Sequence, residues 1–290
     1  MPHRGIGRAA ASRLLDEGWT VFGLDVSEDR LRDVSQHPQF KPIACDVADA
    51  NRIVAAFADI AFASGSLDAL ICCAGVLRIG PLETMSVEDF DQVFAVNTRG
   101  TWLCVREALP LLRKSATSAQ PARVVLLSSV ARAAAEDPGR RLCRLEGGGC
   151  RISAACWQPK SRGSFVLVNA LAPGTVDTPM IHAVSDASQT GRYRPSGASP
   201  IGRIATADDV VDVIGFLLSD ASRYVTGTTI PVDGGTQARV HPAGGRLTVG
   251  PGWRRRTPVR CGWIRRGWGR WLLAALLLAA ALPARRRSAC

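Results

Sequence analysis

Tyrosine is nearly absent from this sequence. It occurs twice in 290 residues, as Tyr193 and Tyr224, and nowhere between Ser129 and Tyr193. That stretch therefore offers no phenol to act as a general base. Metal-ligand spacing is also missing. The nine cysteines include the adjacent pair Cys72-Cys73, which rarely closes an unstrained disulfide, and none stands in a zinc-type pattern. An odd count in a chain of this length reads as reduced thiols in a cytoplasmic setting, with no metal site. The apolar run at 271–282 falls short of the ~20 residues that a membrane-spanning helix needs. Acidic residues are absent from 240 onward, where eleven arginines fall. The remainder balances at 25 basic against 25 acidic residues, so the formal charge of +11 belongs to the tail. A neutral body with a basic tail lacks the charged face of a nucleic-acid-binding domain. Neither nucleic acid nor membrane is expected as a partner. No signal peptide is expected either, since Met1-Pro2-His3-Arg4 leads straight into a glycine pair.

Residues 1–238 alternate between short apolar runs and amphipathic stretches. Strand-like runs occupy residues 20–25, 67–72, 123–127, 164–171 and 229–232. Helix-like stretches lie between them. Residues 8–17 are rich in Ala and Leu and stop at Gly18, residues 87–112 are long and periodic, and residues 207–218 open with Asp208-Asp209. Strands alternating with helices imply βαβ units and a mostly parallel, doubly wound sheet. Two regions break the rhythm. Residues 132–163 show no sustained period, and residues 239–290 are expected as a low-complexity basic tail outside the folded domain.

The chemistry-bearing residues cluster where the apolar runs end. Gly5-Ile6-Gly7 precedes the first helix, where glycines let backbone approach a pyrophosphate and the helix N-terminus favours its charge. Asp25 ends the next run, placed to accept hydrogen bonds from ribose hydroxyls and to repel a 2′-phosphate, so NAD is expected over NADP. Asp46-Val47 can meet an adenine, and Cys73-Ala74-Gly75 leaves room for a cofactor. Asn97 lies within the long helical stretch, Ser128-Ser129 follow the run at 123–127, and Pro173-Gly174 with Val176 and Thr178 follow the run at 164–171. Singly, each has an ordinary alternative: Asp25 as a solvated loop acid, Asn97 as a helix kink, Pro173-Gly174 as a turn. Their joint order places them at the edge where open parallel sheets bind ligands.

With these motifs the chain resembles the short-chain dehydrogenase/reductase family over residues 2 to about 238, down to the Val232-Asp233-Gly234-Gly235 turn. The resemblance implies a Rossmann-type fold, an NAD-dependent oxidoreductase and a homotetramer. It implies that Ser129 holds the oxygen of an alcohol or ketone substrate, that Asn97 anchors a proton-relay water, and that Thr178 bonds the nicotinamide carboxamide. Residues 67–70, 74–80, 94–97 and 200–205 are similar to 2,3-dihydro-2,3-dihydroxybenzoate dehydrogenases of siderophore synthesis, which act on a dihydrodiol. The 3-oxoacyl-carrier-protein reductases share the same framework.

The chain departs from the family pattern twice. The glycine motif begins at Met1 without its preceding strand, which would leave the sheet's central neighbours with open edges. A start codon placed too late is the expected cause. The family's Tyr-x-x-x-Lys pair, expected on a helix after Ser129, is replaced by a segment running through Leu142, Cys143, Arg144 and Leu145. One GC-rich codon choice that would encode residues 142–148 is CTA TGC CGC CTC GAA GGC GGG. Read one base later, they give Tyr-Ala-Ala-Ser-Lys-Ala. A frameshift entering between about Ala131 and Arg141 and restored before about Val166 is therefore expected. Failing that, the chain reads as a catalytically impaired NAD-binding homologue.

Overall fold

A computed structural model describes residues 5–32, 34, 36–81, 85–130, 142–145, 165–182 and 199–237. The tail at 239–290 and most of the aperiodic segment at 132–163 lie outside them. Helix α1 (Ile6–Asp16) leads into strand β1 (Val21–Asp25), the short α2 (Glu28–Arg32), β2 (Phe40–Ala44), α3 (Ala50–Ser64) and β3 (Ala69–Cys72). Then come β4 (Arg78–Pro81), α4 (Val87–Phe94), a π-helical turn (Ala95–Gly100) and α5 (Thr101–Ser115). Strands β5 (Ala122–Leu127), β6 (Leu142–Leu145) and β7 (Val166–Pro173), helix α6 (Ala207–Leu218) and β8 (Thr229–Val232) complete the described order.

Local chemistry sets the helix ends. The Asp49 carboxylate accepts the backbone N–H groups of Asn51 and Arg52 at the start of α3, and Gly65 closes that helix with φ +73°. At α6, Thr206 and Asp209 form a reciprocal capping box. Helix α1 differs: Gly5 occupies its N-cap and offers no side-chain acceptor of its own.

Strands β3, β5, β7 and β8 form a parallel four-stranded sheet in that order, and β1 and β2 form a separate parallel pair. The expected alternation is directly visible in β5. Val124 and Leu126 face a core shared with α3 and α5, through Ile53, Phe57, Val105 and Leu112. Val125 faces a second core shared with α1 and α6, through Ala10, Val210 and Ile214. Helices thus cover both faces, as the doubly wound reading requires.

Among the described residues no ladder joins β1 to β3. Side chains pack across the gap: Phe22, Leu24 and Ile43 enter the same core as Leu70 and Cys72. Burial records the break. Every residue of β1 and of β3 is only half-buried, whereas five of six in β5 are fully buried. The open edges expected from the N-terminal departure are therefore present as two sheets in place of one.

Two elements differ from the sequence reading. The long helix expected over 87–112 is interrupted, because one π-helical turn intervenes at Asn97. The hydroxyl of Thr101 donates to the Asn97 carbonyl at 2.9 Å, satisfying an acceptor within the altered ladder. Residues 142–145, where the resemblance places a helix, instead form an antiparallel strand with Arg78–Pro81. A buried cation, Arg123, also escaped the sequence reading. From β5 it donates to the carbonyls of Leu217 (3.1 Å), Ser219 (2.9 Å) and Pro121, and so caps the C-terminal end of α6.

Candidate cofactor and active site

The expected site residues lie at the C-terminal ends of the parallel strands. Asp25 closes β1, and its carboxylate accepts the Ser27 N–H at 2.9 Å, with Arg30 Nη1 3.8 Å from the same oxygen. Asp46 follows β2 and turns the chain by accepting the Ala48 N–H at 2.9 Å. Cys73, Ala74 and Gly75 follow β3. Gly7, in the first turn of α1, is seated on this segment: a β-carbon there would lie 3.1 Å from that of Cys73. Ile6 packs on the second core, while Gly5 has open space around its Cα. Desolvation pushes the Cys73 thiol up to about 12, so it sits as a neutral apolar lining group rather than a nucleophile.

Asn97 is buried, and both ends of its amide are engaged. Its Oδ1 accepts the Val76 N–H at 2.8 Å and its Nδ2 donates to the Val76 carbonyl at 2.9 Å. This clamp fixes the loop after β3. Ser129 is half-buried and follows β5, held between two main-chain bonds to β7, from the Ser128 N–H to the Leu171 carbonyl and from the Val130 N–H to the Pro173 carbonyl. Gly174 continues from β7 and approaches Asp233, whose Cα a β-carbon at 174 would meet at 3.1 Å. Val176 is buried in the second core. Its side chain faces away from solvent, leaving the main chain as the group it could offer. Thr178 is also buried, its hydroxyl donating to the Val176 carbonyl at 3.3 Å.

The residues that the structure visibly brings together are Gly7 with Cys73, Gly75 with Asn97, and Val47 with Gly100. Gly100 was not singled out from the sequence, nor were Arg99, Val76 and Thr101. The available signal was a glycine inside an otherwise helical stretch, which usually marks a close approach. A cleft of about 320 Å³ lies to one side, lined by Ser199, Arg203, Asp209, Asp233, Gly234 and Thr236 among others. It touches the Pro173–Thr178 segment through Thr175 and includes the Val232–Gly235 turn, but none of the other expected site residues, and its arginine is already paired with Asp209. Among the described residues no group of His, Cys, Asp or Glu could hold a metal ion, and no helix is long and apolar enough to cross a membrane.

The fit to a dinucleotide rests on three features: a glycine, without a side-chain acceptor of its own, at the N-cap of α1, a second glycine in its first turn, and an acid ending the following strand. A helix N-terminus built this way lets main chain approach an anion. The Gly7–Cys73 approach leaves no room for a larger residue between them.

Comparison with known proteins agrees with this geometry. A family model described as enoyl-(acyl carrier protein) reductase matches residues 1–237. The oxidoreductase YxbG of Bacillus subtilis is 31% identical over 265 residues, covering 87% of this chain and 94% of that protein. The 3-oxoacyl-[acyl-carrier-protein] reductase FabG of Staphylococcus aureus is 30% identical, covering 80% and 94%. In fold, the chain resembles the aldohexose dehydrogenase of Thermoplasma acidophilum, with a TM-score of 0.67 at 24% identity over 82% of this chain and 91% of that one. ElxO with NADP bound gives the same TM-score at 22% identity, over 82% and 100%. With its doubly wound fold and the strand-end motifs in place, the chain belongs to the short-chain dehydrogenase/reductase family of oxidoreductases.

Proposed function

We propose that this protein binds NAD(H) and transfers hydride between it and a small alcohol or ketone. The observation that carries the reading is the position of Asp25. It closes β1, with its carboxylate oriented by Ser27, at a strand C-terminus, as the Cys73–Gly75 segment stands after that of β3. A carboxylate there accepts ribose hydroxyls and disfavours a 2′-phosphate. When bound, NAD would supply the hydride acceptor. Gly5, Ile6 and Gly7 would take the pyrophosphate on their main chain. Asp46 and Val47 would border the adenine, Ala74 and Gly75 the adjoining ribose, and the Pro173–Thr178 segment the nicotinamide end. Ser129 would hold the substrate oxygen by hydrogen bonding. Asn97, clamped on Val76, keeps the wall opposite in place.

The missing component is the acid–base. Oxidising an alcohol requires its proton to leave as hydride departs, and loss of a general base typically costs about 10²–10⁴ in rate. A second reading therefore follows from the chain as written: an NAD-binding homologue with little or no turnover. The strand at Leu142–Leu145, where the family word would stand on a helix, favours it. Titration with NADH and NADPH, followed by absorbance at 340 nm with alcohol and ketone panels, separates the readings. Tighter NADH binding with turnover supports the first, and binding without turnover supports the second. No affinity for either nucleotide overturns both. Resequencing codons 131–166 tests the frameshift, which an added or missing base and a second, compensating one before codon 166 would confirm.

For substrate we favour a cyclic dihydrodiol, on the resemblance at residues 74–80 and 94–97. The likeness to FabG makes 3-oxoacyl thioesters the comparison to assay beside it. Self-association is proposed from α4 and α5, where Val87, Phe90, Phe94 and Trp102 are all exposed and Phe90 stacks on Phe94. Such a stripe marks a contact surface, and light scattering reads the assembly size. A cytoplasmic setting is supported by the thiols of Cys45, Cys73 and Cys104, none in a disulfide among the described residues.

A further inference from the structure

The π-helical turn at Ala95–Gly100 touches both loops that would flank the nucleotide. On one side lies the loop after β2. A β-carbon at Gly100 would lie 2.7 Å from the Val47 carbonyl oxygen and 3.0 Å from its side chain, so only glycine fits there without displacing main chain. Its neighbour Arg99 donates from Nη2 to the Ala48 carbonyl at 2.8 Å. On the other side, Asn97 bonds both polar groups of Val76 in the loop after β3. These two loops belong to different sheets, and among the described residues no ladder joins β1 to β3. The turn is therefore a polar and close-packed connection between the two leaves at their ligand-facing ends.

The π geometry is what makes this possible. A continuous α-helix places residues 97 and 100 one turn apart, nearly in line. The wider π turn, with about one extra residue per turn, swings them apart around the axis. One short segment can then reach two loops lying on either side of it.

We propose that this turn is a positioning element that sets the width of an adenine-nucleotide groove. Gly100 and Arg99 fix the Asp46–Ala48 wall, and Asn97 fixes the Gly75–Val76 wall. The inference rests on the cofactor reading above for the identity of the ligand, but not for the bracket itself. Neither Gly100 nor Arg99 is assigned a contact with the nucleotide, and both act through the loop they hold.

The test uses the full chain with AMP and NADH as probes. Gly100→Ala should weaken both ligands in parallel by about 10-fold, as expected when an overpacked contact moves a binding wall. Arg99→Met should do so by a smaller factor, and it decides the matter if Gly100→Ala fails to fold. Thr206→Ala, which loses the α6 cap far from this turn, serves as the control for general destabilisation and should leave AMP affinity unchanged. Amide exchange at Ala48, whose N–H is bonded to Asp46, should accelerate in both turn variants and not in Thr206→Ala. Wild-type AMP affinity together with wild-type Ala48 exchange in the folded variants overturns the proposal. So does an equal effect of Thr206→Ala. Wild-type protein that binds neither AMP nor NADH overturns the cofactor reading alone, while the Ala48 exchange still decides the bracket.

Discussion

Gly7 and Cys73 meet where the first turn of α1 leans on the end of β3, leaving 3.1 Å between the Cys73 β-carbon and the place where residue 7 would carry its own. That distance is tighter than ordinary packing, so a methyl group must push one element away. Gly7→Ala should therefore destabilise the fold by about 1–3 kcal/mol and lower NADH affinity. Adding Cys73→Gly, which removes the opposing β-carbon, should restore part of both. Urea denaturation and NADH fluorescence on the single and double variants measure this coupling. Additive losses would show that the two residues do not oppose each other.

Asp25 should govern the choice between cofactors. Asp25→Asn removes the charge that opposes a 2′-phosphate and frees Arg30, which lies 3.8 Å away, to meet one. The NADPH-to-NADH affinity ratio should rise by about 10-fold, equivalent to about 1.4 kcal/mol. An unchanged ratio would remove Asp25 from the ribose site.

Arg123 is a structural cation. Its guanidinium satisfies carbonyls at the end of α6 from a position 5% exposed on the central strand. Arg123→Met should cost about 3 kcal/mol, because several buried acceptors lose their donor. Its Tm should fall without any change in the NADPH-to-NADH ratio, since the residue sits at the opposite end of the strand from Ser129.

Acid sensitivity should centre on Asp209. Its carboxyl is held well below the ordinary carboxylate value, first by hydrogen bonds from Arg203 and then by the Thr206 N–H. The folded state therefore binds this proton less readily than the unfolded chain. The resulting stabilisation is fully present above the ordinary pKa of about 3.9 and is lost as pH falls toward the depressed value. Wild type should exceed Asp209→Asn in urea midpoint at pH 5, and the gap should narrow between pH 4 and pH 2. A gap that stays constant over that range would show that the pair contributes nothing through ionisation.

Strands β1, β3, β5, β7 and β8 were legible because apolar runs of the right length end in punctuation, and the candidate site was proposed from the Gly, Asp and Ser that those ends carry, whereas β2 and β4 gave no such run. Residues 207–218 read as a helix from Asp208-Asp209 and fold as one over the same span. The turn at Asn97 was not legible. Residues 87–112 keep a helical period throughout, and a π insertion changes only where side chains point. Arg123 was equally hidden, since an arginine inside an apolar run becomes a cap only once α6 packs beside β5. The strand at Leu142–Leu145 depends on pairing with residues more than sixty positions earlier, a contact that no local pattern announces.

The division of the sheet has a thermodynamic consequence. Without main-chain bonds between β1 and β3, the β1–β2 leaf depends on side-chain packing and on the contacts of a single turn. Such a leaf can lose its structure as a separate cooperative unit, ahead of the four-stranded body. A dinucleotide lying across both leaves would bind only their joined state. It would raise the melting temperature of the weaker leaf toward that of the stronger by mass action. In calorimetry the protein alone should melt in two steps and the NADH complex in one. The ligand would then be part of what makes the molecule a single cooperative body.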